Sequence, residues 1–264
     1  MNLGLNKPKF IAKIQVYFFL VPNIGLQGNC SFFPFWVKKT YKDLKNSYLC
    51  GPYCPYNSSP KHNNMLTIIL VALTVYISWR AFESTSLLDK FIFYPYAVKQ
   101  RGDYYRFITS GFVHADWMHL IFNMLALYSF GQTVELYYRQ YFGQWGGLFY
   151  VALYFGSLIM SDVYAYWKYQ DRPHYRSLGA SGAVSGVVLS FILFEPWATM
   201  LVFFIPIKAV IGGVLYLGYS YYASLKTNDN IAHEAHLFGG LFGLSFTGLI
   251  NPAIIRHFLN ELGL

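Results

Sequence analysis

Long apolar stretches separated by short polar ones dominate the chain from Met65 onward. Met65 to Phe82 is a mostly apolar segment of 18 residues. As a helix rising about 1.5 Å per residue it extends about 27 Å, close to the thickness of a bilayer's hydrocarbon core. Five more segments of this kind follow, at about Asp116 to Tyr137, Trp145 to Ser161, Gly179 to Phe194, Lys208 to Ala223 and Ile231 to Ile250. The fourth stops at Glu195-Pro196 and the sixth at Asn251-Pro252, because proline cannot continue a helical ladder. An apolar connection ending near Pro206 joins the fourth to the fifth. The pattern predicts an all-α polytopic membrane protein with six spans. Between the first two lies a long connection, residues 83 to 113, rich in aromatics and charge, including Tyr94, Tyr96, Arg101, Tyr104, Tyr105 and Arg106. Connections this long usually carry function, and that composition suits the headgroup region of a membrane.

Residues 1 to 64 read differently. They show no sustained helical or alternating period, and their apolar patch from Ile14 to Val21 is too short to span a bilayer. Eight lysines and one acid, Asp43, fall here, whereas the remaining chain balances twelve Lys and Arg against eleven acids. The net charge of +8 therefore belongs to the head and is not read as affinity for nucleic acid. All three cysteines, Cys30, Cys50 and Cys54, also lie in the head, without a second Cys/His pair at metal-ligand spacing. The division expected is a basic, poorly ordered N-terminal extension over 1–64, read as an annotation artefact preceding a natural start at Met65, and a membrane domain over 65–264. An overall hydrophobic content of 55% with 12% charged residues points the domain away from a soluble fold. Without an obvious organelle-targeting segment, a bacterial inner membrane is the location expected, with a mitochondrial address kept open by the head's several lysines and single acid.

Chemistry concentrates in three places. Ser181 lies in Gly179-Ala-Ser181-Gly182-Ala-Val-Ser185-Gly186, at the head of the fourth apolar segment. There, unpaired backbone N–H groups and the positive end of a helix dipole favour a developing negative charge. Taken alone, Gly182 and Gly186 fit a close-packing seam equally well. His119 and Asn123 are four apart on one face of the second segment. Both can donate hydrogen bonds to an oxyanion, or simply join two helices. In the sixth segment, Gly239, Gly240 and Gly243 follow His236 along its own face, so another helix can approach closely. The bare face formed by Gly182 and Gly186 is the natural partner, and that contact would carry His236 towards Ser181. Serine needs such an adjacent base to become a nucleophile. His233-Glu-Ala-His236 has a spacing of three, not the four of a zinc-protease helix, and no metal or other cofactor is expected.

Taken in order, Tyr105-Arg106, His114, His119-x-x-x-Asn123, Gly179-x-Ser181-Gly182 and Ala235-His236-x-x-Gly239-x-x-x-Gly243 resemble the rhomboid intramembrane serine proteases, over about residues 65 to 250. The resemblance implies a six-transmembrane-helix rhomboid-like bundle with a membrane-embedded first loop. It implies a catalytic dyad of Ser181 and His236, with the oxyanion held by the Ser181 N–H, Asn123 and His119. It also implies an anchoring role for Arg106, structural roles for His114 and Glu135, and site support from Gly179, Gly182, Gly239 and Gly243. The partners implied are the lipid bilayer and transmembrane protein substrates cut near the membrane boundary. A catalytically silent relative that holds transmembrane helices is the alternative, a class usually marked by loss of the serine or histidine, both of which stand here. Two positions depart from the family pattern: Tyr105 stands where tryptophan is common, and Ser185 where an aromatic often packs on the catalytic imidazole.

Overall fold

The computed structural model describes residues 18–20, 65–202, 205–226 and 232–264. The expectations for the rest of the N-terminal 64 residues lie outside the described residues. A short strand β1, Phe18–Leu20, precedes helix α1, Met65–Glu83. The long connection then folds into three short helices, α2 (Thr85–Phe91), α3 (Pro95–Arg101) and α4 (Arg106–Thr109), and a 3-10 turn at Ser110–Phe112. Local chemistry sets these boundaries. Ser84 accepts the Leu87 N–H at the start of α2, Pro95 opens α3, and Gly102 closes it at φ 73°.

Helix α5, Trp117–Phe142, is capped by the Asp116 side chain. It ends at Gly143, whose φ of 56° favours glycine, and α6, Gly146–Tyr169, returns after a 3-10 turn. Both run further than the apolar pattern predicts, because residues such as Asp162 continue the helix with buried polar partners. Helix α7 occupies Ser181–Phe194 and α9 His233–Ile250, within the expected segments. Helix α8, Ala209–Lys226, lies between them in sequence, and α10, Pro252–Glu261, turns away from α9 by 107° at the Asn251-Pro252 stop.

The all-α expectation requires one correction. The apolar connection after Pro196 is a hairpin of β2, Thr199–Val202, and β3, Ile205–Lys208, to which β1 adds on the other side of β2. All three strands are antiparallel, with Phe19 opposite Leu201 and Leu201 opposite Pro206. The alternation that marks a strand was hidden because most residues in this short stretch are apolar. Two helical stretches among the described residues are long and apolar enough to cross a membrane, Met65–Glu83 and the run Trp117–Tyr169, and three if α9 and α10 count as one bent span.

Helix α7 is the centre of the bundle. Every residue from Gly182 to Phe194 is buried, although the helix has only 14 residues. Its neighbours α6 and α9 present small groups to it, while α5 presents rings, as where Phe130 meets Phe191 edge-on. A Cβ on Gly239 would overlap the Gly182 carbonyl, and one on Gly243 the Gly186 carbonyl, so the backbones of α7 and α9 touch directly. On another side Ser161 lies against Gly182, and Ser157 against Gly186. The expected glycine seam therefore exists, except that Gly240 faces Leu189 instead of backbone.

Candidate active site

Two backbone features bring the chain to Ser181. Gly179 adopts φ 119°, a conformation side chains disfavour, and lies over the His119 imidazole, where a Cβ would come within 2.7 Å of Cε1. The segment before α7 is stitched to the first loop by three backbone bonds: Phe93 N–H to Ser177 O at 2.9 Å, Ser177 N–H to Phe93 O at 3.1 Å, and Gly179 N–H to Ser110 O at 2.9 Å. Ser181 is then the first residue of α7. No side chain among the described residues caps this helix start, and the first intrahelical bond runs from Val184 N–H to Ala180 O. The N–H groups of Ser181, Gly182 and Ala183 are thus those a helix leaves without an intrahelical acceptor.

His236 stands in the first turn of α9, on the face that the glycine seam presses against α7. Its Nε2 lies 2.8 Å from Ser181 Oγ, within hydrogen-bond reach. One turn below the serine, the Ser185 hydroxyl donates to Ser181 O at 2.7 Å and is hydrogen-bonded to the hydroxyl of Tyr216, from α8. The Tyr216 ring stacks near His236, with centroids 6.3 Å apart and planes inclined by 23°. An aromatic ring beside the imidazole is therefore supplied by α8. The sequence carries no signal that singles out Tyr216 among its 24 tyrosines.

The other expected residues divide into two groups. His119, in the first turn of α5, has its backbone N–H capped by Asp116 at 2.8 Å, and its ring meets that of His114 edge-on at 4.9 Å. Asn123 is buried one turn on and donates to His119 O at 2.9 Å. His114 is fully buried and joined to the site's approach: its Nε2 accepts the Ala180 N–H at 3.3 Å, and its Nδ1 lies 2.9 Å from Ser78 Oγ. Ser78 in turn donates to Phe112 O, which leaves Nδ1–H as the donor to Ser78 and fixes a neutral ring. Burial, and next the neighbouring His119, push His114 well below the ordinary histidine range.

Arg106 and Glu135 lie apart from the serine. The buried Arg106 guanidinium donates to the Asp103 carboxylate at 3.1 Å and to the carbonyls of Asp89 and Ile92, each at 2.8 Å, drawing α2, α3 and α4 together. Tyr105 stacks beneath it, 5.4 Å from the guanidinium carbon. Glu135 has no exposed surface and accepts the Thr67 N–H and hydroxyl, both at 2.9 Å, while Arg139 bonds its other oxygen at 2.9 Å. A carboxylate of α5 therefore serves the free N–H groups at the start of α1. Asp162, absent from the expected set, is buried and accepts the Ser110 hydroxyl at 3.0 Å, behind the loop that holds Gly179.

Residues 101–252 match the Rhomboid domain, and the chain belongs to the rhomboid family. It is 29% identical over 184 residues to RHOMBOID-like protein 12, mitochondrial, of Arabidopsis thaliana, covering 66% of this chain and 54% of that protein. Rhomboid-like protein 11, chloroplastic, of the same plant is 29% identical over 205 residues, covering 72% and 66%. Rhomboid protease GluP of Bacillus subtilis is 30% identical over 149 residues, covering 56% and 27%. The chain thus spans about half to two thirds of the length of its plant relatives. Their organellar character overturns the expectation of a bacterial inner membrane, while a multi-pass membrane protein stands. That expectation rested on finding no obvious targeting segment, which by itself assigns no compartment.

Proposed function

We propose that the protein is a serine endopeptidase of an organellar membrane that cleaves transmembrane protein segments near the membrane boundary. The observation that carries this reading is the 2.8 Å approach of His236 Nε2 to Ser181 Oγ across a backbone-to-backbone helix contact. Ser181 Oγ attacks the scissile carbonyl while its proton passes to His236 Nε2, with the other ring proton held on Nδ1. The tetrahedral oxyanion forms beside the uncapped N-terminus of α7, where the Ser181 N–H, the Asn123 amide and His119 stabilise it. His236 returns the proton to the leaving amine, and water attacks the resulting acyl ester with His236 again as base.

The same reading assigns positioning roles to the remaining residues. Gly179 and His114 set the path of the chain into Ser181, Gly182, Gly239 and Gly243 set the separation of α7 and α9, and Arg106 and Glu135 hold the first loop and first helix. In this reading six helices, α1 and α5 to α9, are the spans, and α2 to α4 form a loop at the membrane surface. Helix length supports a site beneath that surface. Fourteen residues rise about 21 Å, less than the roughly 30 Å of hydrocarbon, so with Phe194 at one face Ser181 lies about 9 Å inside the other.

Labelling of the detergent-solubilised protein with a fluorophosphonate tests the assignment. Wild type and Ser190→Ala are expected to react, and Ser181→Ala and His236→Ala to be silent. Labelling that survives Ser181→Ala removes the nucleophile. An unreactive but folded wild type that leaves a model transmembrane substrate uncut favours the silent, helix-binding relative.

A further inference from the structure

Ser181, Ser185, Tyr216 and His236 form a closed circuit contributed by three helices. Ser185 and Tyr216 are buried, at 4% and 7% exposure. Ser185 donates its hydroxyl hydrogen to Ser181 O, so the contact between the two hydroxyls is completed by Tyr216 O–H donating to Ser185 Oγ. This bond pins the far end of the tyrosine to α7 one turn below the nucleophile. The ring then has a fixed place, stacked near the imidazole whose Nε2 meets Ser181 Oγ. His233, one turn before His236 on α9, meets the same imidazole edge-on at 6.2 Å, so an aromatic flanks it on two sides.

We infer that Tyr216 is a positioning residue for His236, its ring orienting the imidazole and its hydroxyl anchored by Ser185. The inference rests on the proposed dyad and adds to it the element of the fold that holds the base in place. Two weak preferences act together here. Aromatic pairs at such centroid separations attract one another beyond their buried area, and the electron-rich ring face also favours the imidazolium formed when His236 takes the serine proton. Because α8 carries the ring, the orientation of the base depends on how α8 sits against α9. A displaced α8 would carry Tyr216 away from both Ser185 and His236.

Two variants separate ring from hydroxyl, and two readouts separate orientation from folding. Tyr216→Phe keeps the ring, and Tyr216→Leu removes it while keeping a smaller apolar group. In cleavage of a model transmembrane substrate, Leu is expected to lower kcat by about tenfold with KM little changed, as for a misdirected catalytic group, and Phe to recover most of that loss. In the Ser181→Ala background, which needs no turnover, NMR of labelled histidine reads the ring-current shift of the His236 imidazole. That resonance is expected to move in the Leu variant and to stay close to its original position in the Phe variant. An unmoved resonance in the Leu variant, or equal kcat losses for Phe and Leu, overturns the inference. A wild type without Ser181-dependent cleavage overturns the protease reading alone, because the resonance still reports whether Tyr216 holds His236.

Discussion

The two ends of α7 are built on opposite principles. At the Ser181 end the neighbours are glycines, small serines and imidazoles, and among the described residues the helix start carries no side-chain cap. At the Phe194 end the neighbours are rings: Tyr137 stacks on Phe194 at 4.6 Å with planes inclined by 4°, and Tyr138 and Tyr141 pack around the same ring. Polar groups there are consumed. His257 of α10 lies 2.8 Å from Phe194 O, Tyr137 donates to the Glu195 carboxylate, and Tyr138 joins Thr247 at 2.7 Å, which donates to Ser190. One end satisfies its terminal carbonyl from a side chain, and in the proposed reading the other keeps its terminal N–H groups for the oxyanion. If the Ser181 end is the reactive one, as proposed, the Phe194 end is the part of the helix that holds it in place.

The largest expected effect comes from breaking the thin end. Gly239→Val puts a branched side chain against the Gly182 carbonyl, one turn from His236. The backbones must separate, and displacement of about 1 Å between reacting groups costs about a hundredfold in rate. Fluorophosphonate labelling of Ser181 is expected to fall by about that factor in protein that still elutes as a folded species. Retained labelling would mean that the seam does not set the distance between serine and histidine.

Much of this contrast is written in the sequence, and the reasons for what is missing are physical. The seam is legible because glycine at three- and four-residue spacing on two apolar segments leaves few other uses for such bare faces. The pair Ser181 and His236 follows from that contact. Tyr216 is hidden because its role depends on how α8 crosses α9, which no local pattern encodes. Asp162 is hidden because a carboxylate reads as the end of a span, whereas Ser110 supplies a hydrogen bond that keeps it buried. The hairpin from Thr199 to Lys208 is hidden because a mostly apolar run gives strand and connection the same signature. Glu135 shows the converse: its bonds to the start of α1 sit 68 residues away in sequence, beyond any pattern of helix capping.

A smaller effect probes the approach to the thin end through pH. His114 is held below the ordinary histidine value in the folded protein, so above pH about 6.5 both folded and unfolded chains carry it neutral. As pH falls below about 6.5 the unfolded chain takes up a proton that the folded site refuses, and stability is lost until the pH reaches the folded value. The expected slope for this one group is at most about 1.4 kcal/mol per pH unit. Thermal unfolding in detergent across that window, wild type against His114→Asn, isolates it as the difference between the two slopes. Equal slopes would mean that His114 is not held neutral beside Ala180.

The smallest effect belongs to the thick end and completes the contrast. Thr247 donates to Ser190, is bonded by Tyr138, and shares its hydroxyl with Gly243 O at 2.8 Å. Thr247→Val keeps the shape and removes the hydroxyl, leaving Tyr138 and Ser190 to bond each other or go without. Hydrogen bonds between membrane helices contribute about 0.6 kcal/mol on average and up to about 1.7. A loss of about 1 kcal/mol in unfolding free energy is therefore expected. Labelling of Ser181 should be unchanged, because the polar chain lies three turns of α9 from His236 and touches none of the groups around the serine. If Thr247→Val instead lowers the labelling rate without further loss of stability, the two ends of α7 are coupled through the helix, and the division between a reactive end and a holding end fails.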